Sequence, residues 1–156
     1  MQCTLSRLCY CFSLYILIAI AQNSQANSLI SLEQTVNQHQ GKVIYLDFWA
    51  SWCAPCRQSF PWLNQMQKKY QTQGFIIVSI NLDYNKKLAD NFLKDQPANF
   101  TIIYDPQGAT SKKFKLTAMP TSFLINRQGK IIASHAGFNN EKKHKIEQQI
   151  QLALKK

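Results

Sequence analysis

The chain has 156 residues, 46% of them hydrophobic, which is the size and composition of one ordinary globular domain. Five glycines and five prolines are too few for a collagen-like or disordered chain. Eighteen Lys and Arg against eight Asp and Glu give a net charge of +10, which favours acidic partners or anionic membrane surfaces. The basic residues are scattered without interleaved aromatic residues, so the sequence does not indicate a nucleic-acid-binding protein.

The first 26 residues differ from the rest of the chain. Arg7 is their only charged residue, and residues 12–21 form a predominantly apolar run without a charge. Small residues at the end of this run, and again at Ser24 and Ala26, fit the small-x-small cleavage pattern. The sequence therefore predicts a secretory signal peptide at residues 1–26.

An uncleaved membrane anchor built on residues 8–21 is the alternative, because the segment before the apolar run is only weakly basic. In either case we expect the folded domain to span residues 28–156. Three of the five cysteines lie before residue 12, so cleavage would leave only Cys53 and Cys56. In an exported domain, one cysteine pair at a helix start is more typical of catalysis than of stabilisation.

The remaining segments alternate between strand and helix patterns, which predicts an α/β domain with parallel crossover connections. Each strand is a short apolar run, and each helix repeats apolar residues at helical spacing. The predicted elements are a helix within 28–42, a strand at 43–49, a helix from Cys53 to about Tyr70, a strand at 75–82, a helix at 88–95, a strand at 100–104, a short helix at 109–114, a strand hairpin at 122–125 and 131–135, and a helix at 140–154.

The strand at 43–49 contains one charged residue, Asp47, within a β-branched and aromatic run. A buried carboxylate is costly in free energy, so Asp47 needs a structural or chemical reason to be there. Trp49 at the end of this strand, and Trp62 in the following helix, are expected to pack in the core.

The sequence Cys53-Ala54-Pro55-Cys56 follows that strand directly. Pro55 is tolerated in a first helical turn, so Cys53 is predicted at a helix N-terminus, where partial positive charge favours a thiolate. Cys56 is within disulfide reach, three residues further on. Half of a zinc site is an alternative, although zinc requires four ligands, and a purely structural disulfide is another.

The run from Asp47 to Cys56, DFWASWCAPC, closely resembles the active-site segment of the thioredoxin superfamily. Ala54-Pro55 between the cysteines resembles the extracytoplasmic TlpA/ResA-like (DsbE-type) branch. This resemblance covers about residues 28–154 and implies a thioredoxin fold, a central mixed β-sheet flanked by helices. A helix and strand at about residues 84–104 resemble the insertion typical of the TlpA-like branch.

The resemblance also implies roles for site residues. Cys53 is expected to be the nucleophile and Cys56 the residue that resolves the mixed disulfide. Asp47 is the candidate proton acceptor for Cys56, with a structural, hydrogen-bonded aspartate as the alternative. Ser79 departs from the pattern, because thioredoxins often carry a lysine near this aspartate, so carboxylate tuning is expected to differ.

Substrate contacts are implied by the same resemblance. Pro120 corresponds to the cis-proline that faces the two cysteines in the family. Trp52 and Pro120 are expected to line the substrate groove. The backbone of Met119 would pair with an extended peptide as a short added strand.

The resemblance implies a periplasmic or otherwise extracytoplasmic thiol–disulfide oxidoreductase that reduces disulfides of exported proteins, for example in cytochrome c maturation. Its electrons would come from a membrane thiol donor, and neither a cofactor nor a metal is expected. Two alternatives remain: a disulfide oxidase or isomerase, and a copper carrier that uses Cys53, Cys56 and His135, because soft thiolates select Cu(I).

Overall fold

The computed structural model describes residues 27–156, so the predicted signal peptide or anchor lies outside the described residues. None of the helices in the described part of the chain is long and apolar enough to cross a membrane. The elements in chain order are α1 (27–38), β1 (Val43–Trp49), α2 (Ala54–Tyr70), β2 (Phe75–Asn81), α3 (Lys86–Asp95), β3 (Thr101–Tyr104), α4 (Ala109–Lys113), β4 (Thr121–Ile125), β5 (Ile131–Ala136) and α5 (Asn140–Leu154).

The five strands form one mixed sheet in the order β3-β2-β1-β4-β5. β1 is central and pairs in parallel with β2 and antiparallel with β4. All seven of its residues are buried, because helices cover both faces of the sheet at this strand. The predicted α/β class and the central mixed sheet flanked by helices are confirmed.

Two apolar clusters hold the helices against the sheet. Residues of α2, α3 and α5 pack on the face that carries Tyr45 and Trp49. α1 and the segment after α4 pack on the opposite face, around Leu46 and Phe48. Burying these apolar surfaces is the main favourable term in folding, and it fixes β1 between two dry layers.

The insertion predicted at residues 84–104 is present as α3 and β3. α3 begins at Lys86, two residues before the predicted start, because the Asn85 side chain caps it and accepts a hydrogen bond from Lys87 N at 3.0 Å. β3 extends the sheet beyond β2 in parallel. α3 packs against α2, the helix that follows Cys53, because the Phe92 ring meets Phe60 edge-on at 4.8 Å between centroids and Arg57 Cζ lies 6.0 Å from the centre of the Phe92 ring.

Candidate active site

Cys53 is the N-cap residue of α2, with extended backbone angles, and Pro55 occupies the first turn. Cys53 and Cys56 are joined by a disulfide with a Cα–Cα distance of 5.2 Å. The N–H of Cys56 also donates to Cys53 Sγ at 3.3 Å. This geometry follows from the sequence, because proline costs nothing where the helix N–H groups have no intrahelical partner.

The two sulfur-bearing residues differ in accessibility. Cys53 is 6% exposed and Cys56 is fully buried, so only Cys53 presents an edge to an incoming molecule. The first turn of α2 contains no acidic residue, which leaves the positive end of the helix dipole uncompensated. After reduction, a Cys53 thiolate would be stabilised at this position. The arrangement can take up two electrons and two protons, and can release them again.

Asp47 lies on the central strand and is only 2% exposed. Its one described hydrogen bond comes from Ser79, whose Oγ donates to Oδ2 at 3.2 Å. Burial raises the pKa of Asp47 to about 7, and the bond from Ser79 offsets this only in part. A carboxyl group with this pKa can accept or give up a proton near neutral pH.

Ser79 faces Asp47 because the two residues are register partners on β1 and β2. A lysine there would bring a positive charge beside the carboxylate and lower its pKa, whereas a hydroxyl supplies only one neutral donor. Tyr45, two residues before Asp47, donates to Ser122 Oγ at 2.6 Å. Burial, and then the nearby charge of Asp47, raise the pKa of Tyr45, so it stays a neutral donor.

Sequence reasoning missed a second carboxylate at the site. Asp83 is 1% exposed and accepts hydrogen bonds from Ser51 N at 3.0 Å and from Ser51 Oγ at 2.9 Å. The Asn81 side chain donates to it at 2.7 Å. Asp83 therefore fixes the loop that delivers Trp52 and Cys53 to the start of α2. The available signal was a polar Asn-x-Asp at the end of a buried parallel strand.

The peptide bond between Met119 and Pro120 is cis, as the resemblance predicted for this proline. Pro120 is buried and Met119 is half-buried, immediately before β4. Trp52 is 67% exposed, beside Cys53 in sequence. The predicted contact of these three residues with substrate stays a prediction.

Trp49 and Trp62 are core residues, as predicted. Trp49 is fully buried and its ring meets Phe60 edge-on at 4.6 Å between centroids. Trp62 contacts Tyr45 in the same orientation at 6.1 Å. These aromatic contacts lock α2, which carries both cysteines, onto the sheet.

His135, the residue that the copper hypothesis adds to the cysteines, lies on the edge strand β5. Its Nε2 is 2.6 Å from Gln149 Oε1, and burial lowers its pKa. Residues 27–156 contain no group of three or more His, Cys, Asp or Glu side chains arranged to hold a metal ion. The copper hypothesis therefore gains no support from the described side chains.

Comparison with known proteins bears on this site directly. The chain matches the Redoxin family over residues 22–150. The thiol-disulfide oxidoreductase ResA of Bacillus subtilis is 31% identical over 129 residues, covering 79% of this chain and 72% of ResA. A Chlorobium tepidum crystal structure assigned as a thiol:disulfide interchange protein, DsbE, shares 52% identity with a TM-score of 0.75, covering 76% of this chain and 84% of that one.

StoA from Bacillus subtilis is a further structural neighbour, with 28% identity and a TM-score of 0.59, covering 67% of this chain and 82% of StoA. The matched region includes the cysteine pair, the central strand and the cis-proline segment. The resemblance inferred from DFWASWCAPC is thus confirmed: the chain belongs to the Redoxin family, as a ResA/DsbE-like thiol–disulfide oxidoreductase of the thioredoxin superfamily.

Proposed function

We propose that this thiol–disulfide oxidoreductase reduces disulfides of exported proteins outside the cytoplasm, with Cys53 as nucleophile and Cys56 as resolving cysteine. The main support is the asymmetric cysteine pair at the start of α2, together with Asp47, a buried carboxyl group on the preceding strand β1 whose pKa is about 7. The outer sulfur suits attack on a substrate, and the buried carboxylate suits proton transfer from the inner thiol.

The reaction starts from the reduced dithiol form. The Cys53 thiolate attacks one sulfur of a substrate disulfide, forms a mixed disulfide and expels the other substrate sulfur as a thiolate. Cys56 then passes its proton to Asp47 and attacks the Cys53 sulfur, which breaks the mixed disulfide and releases the second substrate thiolate. Two electrons have moved to the substrate, and the enzyme holds the Cys53–Cys56 disulfide.

The domain must then be reduced again by an external dithiol, which we assign to a membrane thiol donor. Two features support an extracytoplasmic location: the apolar run with cleavage-like sites in the first 26 residues, and relatives of the ResA and DsbE type. Cytochrome c maturation is the process that the TlpA/ResA-like resemblance implies, so disulfides of apocytochrome c are the proposed substrates and its free thiols are the products.

The redox potential of the cysteine pair tests whether the domain reduces or oxidises its substrates. Equilibration with glutathione should give a value near that of thioredoxin, about −270 mV, whereas a value near −120 mV, typical of strong oxidants, would overturn the reductase assignment. The reduced domain should also reduce insulin, and Cys53→Ser should abolish this activity. A Cys56→Ser variant should accumulate mixed disulfides, whose partners would identify the substrates.

Cell fractionation tests the proposed extracytoplasmic location. A tagged full-length protein should appear in the extracytoplasmic fraction or the membrane fraction, with the cysteine pair in redox exchange. Recovery of the full-length protein from the cytoplasm in a permanently reduced state would contradict the proposed export.

A further inference from the structure

Two large aromatic side chains are exposed in the connections that follow β1 and β2. Tyr84 is 79% exposed and Trp52 is 67% exposed. Trp52 lies in the connection from β1 to α2, and Tyr84 lies in the connection from β2 to α3. Because β1 and β2 are parallel neighbours, both connections leave the same edge of the sheet, where ligands of α/β proteins generally bind.

Asp83 joins these two connections. It immediately precedes Tyr84, and its carboxylate accepts both hydrogen bonds from Ser51, which immediately precedes Trp52. A third bond, from Asn81, holds the carboxylate itself. The backbone beneath each aromatic residue is therefore fixed relative to the other, although the side chains themselves face solvent. Exposed aromatic groups on a fixed backbone lose little conformational entropy when a partner covers them.

In the first turns of α2 and α3, the exposed charged side chains that lack a carboxylate partner in the described structure are basic. Arg57 on α2 and Lys87 on α3 are exposed in these turns. The two nearby carboxylates do not offer a free negative charge to a partner, since Asp83 is buried and Asp90 forms an ion pair with Lys86 at 2.6 Å. An acidic segment would therefore meet positive charge here without competing carboxylates.

We propose that Tyr84 is a second substrate-contact aromatic, which with Trp52 takes an apolar side chain next to the substrate cysteine. Arg57 and Lys87 favour acidic residues further along the same segment. This inference rests on the proposed function, because the bound segment carries the disulfide that Cys53 attacks. Tyr and Trp are the residue types that most often dominate protein contacts, because they bury a large apolar surface and retain a polar tip.

Kinetics with matched substrates test the contact. One cystine peptide carries Phe beside the attacked cysteine and Glu beyond it; a second has Ser in place of Phe, and a third has Lys in place of Glu. Tyr84→Ser should lower kcat/KM for the Phe peptide three- to tenfold, through KM. Its rate with oxidised glutathione, which lacks these side chains, should stay within twofold, and Tyr84→Phe should keep the wild-type rate.

Leu152→Ser is the matched control, because Leu152 is 59% exposed and lies on α5, away from the cysteine connections. It should leave all rates unchanged. The wild-type enzyme should also prefer the Phe peptide over the Ser peptide, and the Glu peptide over the Lys peptide. An unchanged KM for the Phe peptide in Tyr84→Ser, or equal losses with the Phe peptide and glutathione, would overturn the inference.

Binding separates this inference from the proposed function. The affinity of the Phe peptide for a Cys53→Ser/Cys56→Ser domain measures the contact of Tyr84 with the peptide, because this variant cannot transfer electrons. If the wild-type protein reduces none of the disulfides while Tyr84→Ser still weakens this binding, the reductase function fails and the contact stands. If turnover is normal while Tyr84→Ser changes neither KM nor affinity, only the contact fails.

Discussion

Replacing Asp47 with Asn should make the oxidised domain more stable at pH 8, despite the loss of a buried, hydrogen-bonded group. The folded protein holds the pKa of Asp47 at about 7, well above the ordinary aspartate value of 3.8. The protonated carboxyl group is therefore favoured in the folded state and the ionised group in the unfolded state. Its stabilising contribution is complete below about pH 4 and is lost as the pH rises to about 7.

The size of the effect follows from the separation of the two pKa values. About 3 pH units at about 1.4 kcal/mol each correspond to about 4 kcal/mol of unfolding free energy lost between pH 4 and pH 7. Asn does not ionise, so it escapes this loss. Its buried amide N–H groups lack an acceptor in the described structure, which costs about 1–3 kcal/mol at every pH. The net gain at pH 8 should therefore be about 1–3 kcal/mol.

Urea unfolding of the oxidised wild type and of Asp47→Asn, at pH 4.5 and pH 8, measures this directly. The difference in unfolding free energy should shift in favour of the variant by about 3–4 kcal/mol between the two pH values. The constant cost of the amide cancels in this comparison. A difference that does not change with pH would refute a raised pKa for Asp47.

Asp105 provides the control for this experiment, because it is also buried but differs in its hydrogen bonds. It accepts bonds from Ser28 Oγ at 2.9 Å, Ala109 N at 3.0 Å and Thr110 N at 2.7 Å. Asp105→Asn would turn an amide N–H₂ group towards some of these donors and leave them unsatisfied. It should therefore destabilise the domain at pH 8, where Asp47→Asn stabilises it.

The same variant tests the catalytic role of Asp47. Stopped-flow reduction of a peptide disulfide should show that Asp47→Asn slows release of the reduced substrate more than the first attack. Cys53 is already favoured as a thiolate by the helix N-terminus, whereas the buried Cys56 must lose a proton before it attacks. Equal turnover by wild type and variant from about pH 6 to 8 would show that the proton leaves by another route.

Two further predictions concern other residues. Ser79→Ala removes the one hydrogen bond that lowers the pKa of Asp47, so the pH at which substrate release accelerates should move upward; an unshifted pH profile would disprove this coupling. Arg127→Lys should lower the thermal unfolding midpoint and cost about 1–3 kcal/mol of unfolding free energy. The Arg127 guanidinium donates hydrogen bonds to the carbonyl oxygens of Gly41, Gln73 and Leu154, at 2.9, 3.1 and 3.3 Å. The single ammonium group of a lysine cannot reach all three oxygens. Unchanged melting would show that these contacts are dispensable.

Local sequence predicted the parts of the site that depend on neighbouring residues. A proline within the first turn and an apolar strand before it were enough to place Cys53 at the start of α2. Burial of Asp47 followed from its position inside an uninterrupted apolar run. The cis bond before Pro120 came from the family resemblance, since sequence alone gives a low frequency for cis proline.

Long-range hydrogen bonds could not be predicted in the same way. The bonds from Ser51 to Asp83 join residues 32 positions apart, and they exist because β1 and β2 are parallel neighbours. No local sequence pattern at Ser51 or at Asp83 indicates that the two residues will form a hydrogen bond. On α5, Ile146, Ile150 and Ala153 are buried, and Leu154 is partly buried and packs against the same apolar cluster. How deeply each of these residues is covered depends on the sheet beneath the helix.

The three buried aspartates show how one residue type acquires different roles in one small domain. Asp83 and Asp105 each accept hydrogen bonds from both backbone N–H groups and side chains, so each carboxylate organises the chain around it. Asp47 lies on a strand whose backbone groups are already used in the sheet, and it accepts one hydroxyl bond. With so little compensation, its charged form is the costly one, and the resulting raised pKa is the property that the proposed proton transfer from Cys56 requires.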